Sequence, residues 1–287
     1  MRMQQPTMRR LSGSVGRGGS PRAHVWGALA LVAAMTLVAV PARAQDPDDP
    51  MTADDGWSFS IAPYLWATSM EGNISFEGTP VVPVDVSFSD VVDNLDMALS
   101  LHFEGRNGRW GFGLDGMYVK LGAMANFNFP IGPGEGPEGE IAVELEQTLL
   151  EGFGFYRLTV TDRSTNPGFV DAFIGLRYVK TNQEVTTARI DLPRREISWT
   201  DAMVGLRGYA PLGDKFGFAA RGDIAGGGSN FTWNIKGDLH WRISNRWRLI
   251  VGYRYMDMDF EEGEGLLGRE IYQMKLGGPE FAVSFAW

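Results

Sequence analysis

The chain has 287 residues, among them 37 glycines and nine tryptophans, and it has no cysteine. Without a thiol it can build neither a disulfide framework nor a thiolate metal centre. Its formal charge of −9 becomes 20 − 35 = −15 once residues 1–44, which hold 6 of the 26 basic residues and none of the 35 acids, are set aside; that lacks the basic footprint nucleic acid requires.

Residues 1–44 read as an export signal. The start is basic (Arg2, Arg9, Arg10, Arg17, Arg22), an apolar run follows from Val25 to Val40, and Ala42-Arg43-Ala44 supplies the small residues of a cleavage site. The run has 16 residues, short of the ~20 a membrane helix needs. Residues 45–56 then form an acidic tail (Asp46, Asp48, Asp49, Asp54, Asp55), expected on the periplasmic side.

From residue 57 onward the apolar pattern has a period of two, the period of a strand. Trp57 to Thr68 is the first predicted strand, with Phe59, Ile61 and Leu65 on one face. Met97 to Arg106 puts Leu99, Leu101 and Phe103 on one face and Ser100, His102 and Glu104 on the other, before an Asn107-Gly108 turn. Trp110 to Leu121 is the third. Glu144 to Leu158 is less regular, and its phase slips near Leu149-Leu150 as a bulge would make it. Gly168 to Lys180 and Ile197 to Ala210 alternate cleanly, as do Phe216 to Ala225 and Phe231 to Ile243, the last with Lys236, Asp238, His240 and Arg242 on one face. Trp247 to Asp257 is the ninth. Ile271 to Trp287 is the tenth, and its Phe281, Val283, Phe285 and Trp287 share one apolar face.

In a water-soluble sheet such apolar faces need a covering layer, and no helix-forming segment is available to supply one. The pattern is that of an all-β, antiparallel transmembrane barrel with polar residues inside. Ten strands return the C-terminus to the periplasmic side; strand-like pieces in the first loop leave eight or twelve open. Trp57, Trp110, Trp241, Trp247 and Trp287 mark one rim, and Trp66, Tyr118, Tyr178, Trp199 and Trp233 the other. The apolar Val91, Val92 and Leu95 suggest a short amphipathic helix in the first loop, partly plugging the mouth.

Several segments, taken in order, carry a resemblance. They are Ala62-Pro63-Tyr64-Leu65-Trp66, Val86 to Asp96, Asp115-Gly116-Met117-Tyr118-Val119, Gly222-Asp223-Ile224 running to Trp233, Gly252-Tyr253-Arg254-Tyr255 and the terminal aromatic. Together they are similar to a large family of outer-membrane β-barrel proteins of Gram-negative bacteria, with small OmpW- and OmpA-like barrels as distant analogues. The resemblance covers 57–287 and implies fold and location: an integral barrel of the outer membrane, in contact with its lipid and lipopolysaccharide. It carries no catalytic residue, metal or cofactor with it. The closing strand, Phe281, Val283, Phe285 and Trp287, resembles the signal read by the barrel-assembly machinery. Gly226-Gly227-Gly228 departs from the family where an aromatic residue often stands.

Three function classes follow: a structural or narrow passive-transport barrel without catalysis, a barrel whose surface loops bind partners or lipopolysaccharide, and a lipid-modifying enzyme. For the third, Ser100, His102 and Glu104 share a face, but steps of ~7 Å are too long for a nucleophile and base in contact. His240 stands among Lys236, Asp238 and Arg242, whose cations oppose a metal. These side chains read as lumen filling.

One internal repeat predicts a register. Asp171-Ala172-Phe173-Ile174-Gly175-Leu176-Arg177 recurs as Asp201-Ala202-Met203-Val204-Gly205-Leu206-Arg207. Residues paired across antiparallel neighbours have a constant index sum, and 171 + 207 equals 177 + 201. One register therefore sets Asp171 opposite Arg207 and Arg177 opposite Asp201, predicting two ion pairs in a narrow, largely occluded lumen.

Overall fold

A computed structural model describes residues 56–75, 81–93, 95–128, 138–161, 167–187, 195–263 and 269–287. The expected export signal, and all of the acidic tail except Gly56, lie outside the described residues. The elements are β1 (Ser58–Trp66), β2 (Ser69–Ser75), β3 (Val82–Val86), helix α1 (Phe88–Asp93), β4 (Leu95–Asn107), β5 (Trp110–Asn128), β6 (Glu138–Val160), β7 (Phe169–Thr187), β8 (Arg195–Leu212), β9 (Phe216–Gly226), β10 (Phe231–Arg242), β11 (Trp247–Glu262) and β12 (Glu270–Ala286).

Ten of the strands close on themselves. The order runs β1, β4, β5 and onward to β12, every pairing is antiparallel, and β12 pairs back onto β1. Where β1 pairs with both β4 and β12 the closure leaves no sheet edge, the condition for crossing a bilayer with strands. The strand-like pieces of the first loop form the β2–β3 hairpin, which continues up β12 beyond β1 and stays outside the ring. The chain ends seal the ring through reciprocal backbone bonds, Phe59 N to Trp287 O and Trp287 N to Phe59 O, both 3.0 Å.

The outer surface is that of a lipid-facing barrel. Ile174, Leu176, Leu99, Leu114 and Val204 are all exposed, Ile174 to 69%, which water would penalise and hydrocarbon does not. Trp57, Trp110, Trp241, Trp247 and Trp287 are exposed at the end that carries the start of β1, the end of β12 and the short turns, so one aromatic girdle stands where the sequence puts it. At that end Gly108, with φ of 56°, makes the turn after Asn107. Several strands are long, β6 reaching 23 residues, against the ~9–11 that cross a bilayer. The excess projects beyond the opposite face.

Two expectations are corrected. Trp66 and Trp199 are buried in the lumen rather than set on the far rim; Trp199 stacks on Phe260 with ring centres 4.8 Å apart. No phase slip occurs at Leu149-Leu150, because β5–β6 and β6–β7 keep their register through both residues. Leu149 faces inward and is buried. It looked like a slip only because an inward leucine was not expected, and the irregularity lies at Arg157/Thr159 instead.

Candidate functional site

The lumen at mid-height is built by register. Across β8–β11 the inward positions Arg207, Arg221, Lys236 and Arg254 are successive register partners. Like charges directly opposite one another repel, so this wall needs acids from elsewhere. The facing wall supplies part of them, and β7, β9, β10 and β12 the rest. On β4, β5 and β6, His102, Asp115 and Glu151 are register partners, and Glu104 lies two residues along from His102.

Each cation of the row is met. Arg207 makes a two-pronged contact with Glu104 (2.5 and 3.0 Å) and a third with Asp171 (3.1 Å). Arg221 reaches Glu151 (2.7 Å) and Asp223 (3.0 Å). Lys236 pairs with Glu280 and lies 3.5 Å from Asp238. Arg254 donates to Asn234 (2.9 Å) and to Glu151 (3.3 Å). Glu151 also receives Arg177 at 2.8 Å, so one carboxylate gathers three guanidinium groups.

The geometry spans the whole lumen. In the ring of ten, β6 and β11 are five strands apart in either direction, so Glu151 and Arg254 bridge opposite walls. Glu104 and Arg207 join β4 to β8, four strands away. Above them Gln147 on β6 donates to the hydroxyl of Tyr272 on β12 at 2.9 Å. Aromatic rings fill the space below the cross-braces. Arg207 lies 4.1 Å over the Phe155 ring and Arg221 4.8 Å over Phe173, contacts favourable to a guanidinium.

A belt of apolar side chains on the outside and a belt of paired charges on the inside invert the plan of a soluble protein. This is an outer-membrane β-barrel. Solved structures that align with the chain include the translocator domain of the autotransporter NalP from Neisseria meningitidis (13% identity, TM-score 0.39, covering 91% of this chain and 97% of that one). Neisserial surface protein A aligns over 80% of this chain and 98% of its own at 10% identity and a TM-score of 0.29. Ail, the attachment invasion locus protein of Yersinia pestis, solved with the heparin analogue sucrose octasulfate, aligns over 81% and 99% at 9% identity and 0.34. No family model and no curated protein matches the chain.

The residues singled out from sequence fall as follows. Asp171 lies opposite Arg207, and Arg177 opposite Asp201. Asp171 is shared, receiving Arg157 at 2.8 Å as well as Arg207. The expected Arg177–Asp201 ion pair does not form. Arg177 turns to Glu151 and to Asp223, at 2.5 Å. The Asp201 carboxylate instead caps the turn after β9, accepting from Gly228 N (3.1 Å), Ser229 N (2.6 Å), Ser229 Oγ (2.7 Å) and Trp199 Nε1 (3.1 Å). A Cβ at Gly228 would stand 2.4 Å from the Thr200 carbonyl oxygen, so the glycine run allows the turn to close onto Asp201.

Ser100 is buried and His102 half-buried. His102 directs Nδ1 to Asp115 (3.0 Å) and Nε2 to Glu104 (3.6 Å), and Tyr64 donates to Asp115 at 2.7 Å. Both ring nitrogens thus face carboxylates. Asp238 is buried beside Lys236, His240 lies 5.5 Å from the Tyr209 ring, and Arg242 donates to the Asp214 carbonyl at the end with the short turns. Phe281, Val283 and Trp287 are exposed on the lipid face; Phe285 packs 4.8 Å from Trp247 and 5.8 Å from Trp287.

Sequence reasoning missed Glu151, Arg221, Asp223, Arg254 and Glu280. For Arg221, Asp223, Arg254 and Glu280 the signal was present, a charged residue at an inward position of an alternating strand; Glu151 was hidden by the slip read at Leu149-Leu150.

Proposed function

We propose that this protein is a structural barrel of the outer membrane whose lumen is closed at mid-height to water-filled diffusion. The observation that carries the reading is the Glu151–Arg254 bridge between opposite walls, held within a row of four cations that each have an acidic partner. A solute crossing at this level would have to part desolvated ion pairs, and breaking one by removing a partner leaves an uncompensated charge. No catalytic role is proposed, because the His102 imidazole is held between Asp115 and Glu104. The partners that follow are membrane lipid and lipopolysaccharide on the outer surface and, during biogenesis, the assembly machinery acting on the closing strand.

The test is conductance in planar bilayers. The native barrel should give no stable stepwise current. A large, long-lived native conductance overturns the reading.

A further inference from the structure

Above the charge belt the lumen changes character. Met70, Met256, Met258, Met274, Trp199 and Tyr272 are all buried there, where a transmembrane barrel ordinarily has a polar interior. Two cavities lie in this upper storey. One, of about 180 Å³, is lined mostly by apolar side chains, Met70, Ile74, Leu121, Leu145 and Met274 among them, with Tyr272, Gln183 and Asp90 also on its wall. The other, of about 40 Å³, touches Trp66, Thr68, Val91, Ala98 and Met117. Met70 is common to both, and a methionine is the side chain most able to shift and join them.

The smaller cavity lies against the barrel wall at β1 and β4. The β1–β4 ladder runs from Ser58↔Arg106 to Pro63↔Leu101 and stops. Beyond it β2 prolongs β1 along β12 in the same register, and its other edge pairs with β3 instead of β4. Among the described residues, the stretch of β4 from Leu95 to Ser100 pairs only with β5. The seam is covered by α1, which starts with a capping box: Ser87 N donates to Asp90 Oδ2 (3.1 Å) and Asp90 N to Ser87 Oγ (3.3 Å). Val91 of α1 is buried. Leu65, whose side chain is exposed on the lipid face, lines this cavity together with inward-facing Trp66 and Met117. Unzipped backbone at membrane depth is tolerated only where protein covers it or it lines a cavity, and here both hold.

We infer that the upper storey is a binding chamber for a small uncharged molecule the size of one aromatic ring, reached from the lipid through the seam under α1. An apolar protein cavity of ~150 Å³ stays dry and takes benzene, so the larger cavity has the volume for this class. Methionine sulfur against rings favours an aromatic guest. Trp66 Nε1 and Thr68 Oγ1 are buried without a hydrogen-bond partner among the described residues and offer one polar group a place at the seam. The charge belt below bars onward passage through the lumen, so the chamber opens sideways.

The test uses the folded full-length barrel in phospholipid vesicles and the carbene probe 3-trifluoromethyl-3-phenyldiazirine, with labelled positions read by mass spectrometry. Label is expected on Met70, Tyr272 and Met274 as well as on lipid-facing Ile174 and Leu176. Benzene at about ten times its dissociation constant should lower the chamber label about tenfold by mass action while the lipid-facing label stays. Label confined to the lipid-facing belt, or chamber label that benzene leaves unchanged, overturns the chamber. Ile74→Trp should abolish the chamber label by filling the space. Ala98→Trp, at the seam, should slow chamber labelling but not that of Ile174; an unchanged rate in folded A98W overturns the lateral route. The closed-lumen reading is tested by conductance, so either can fail alone.

Discussion

Arg254 on β11 and Glu151 on β6 meet at 3.3 Å although four strands lie between them in either direction round the ring. Glu151 is fully buried and also holds Arg177 and Arg221. Glu151→Gln keeps the size and removes the charge, leaving three guanidinium groups short of an anion. Breaking buried pairs in this way costs about 3–5 kcal/mol. The midpoint of urea unfolding in vesicles should fall accordingly, with the barrel losing its resistance to heat in detergent gels. A midpoint equal to that of the native protein would show that the bridge contributes nothing.

The register of β7 and β8 is open to a direct test, since the protein has no cysteine to interfere. Cysteines replacing Asp171 and Arg207, which face each other in the lumen, bring Cβ atoms to about 4.5–5.5 Å, within reach of oxidative crosslinking by a short reagent. Cysteines replacing Asp171 and Leu206 should not crosslink, because Leu206 points to lipid. Crosslinking of the second pair alone would mean a register slipped by one residue.

How far the sequence could be read depends on what kind of relationship is asked for. Alternation reveals which face a residue takes, and the repeated Asp-Ala-x-x-Gly-Leu-Arg segments fix the β7–β8 register. Neighbour register cannot reveal partners across the lumen. Arg177 has an acid on both sides, Glu151 on β6 and Asp201 on β8, and only the fold shows that turn amides already occupy Asp201. The preference of tryptophan for headgroups points Trp66 and Trp199 to the rim, and it gives way where the lumen itself is apolar. The β2–β3 hairpin is short and bounded by glycine and proline, so its pieces looked equally like loop or strand.

Export should remove the leader, which lies outside the described residues. Cleavage after Ala44 is expected because Ala42 and Ala44 carry the small side chains at the required spacing. Protein extracted from the membrane should begin at Gln45 on N-terminal sequencing. A mature chain that retains Val25 to Val40 would refute the assignment.

Trp287 has two separable roles at the closure. Its backbone exchanges two hydrogen bonds with Phe59, both 3.0 Å, and its ring packs 5.9 Å from Phe59 and 6.4 Å from Phe103 on the lipid-facing rim. Trp287→Ala keeps the backbone exchange and loses the ring; deleting the residue loses both. If the terminal aromatic is what the assembly machinery reads, the two variants should behave alike, with protein accumulating in the periplasm or degraded. If the backbone seal matters more, W287A should reach the membrane near normal levels and only the deletion should fail. Measuring both by fractionation separates the roles, and normal outer-membrane levels of the deletion would remove Trp287 from assembly altogether.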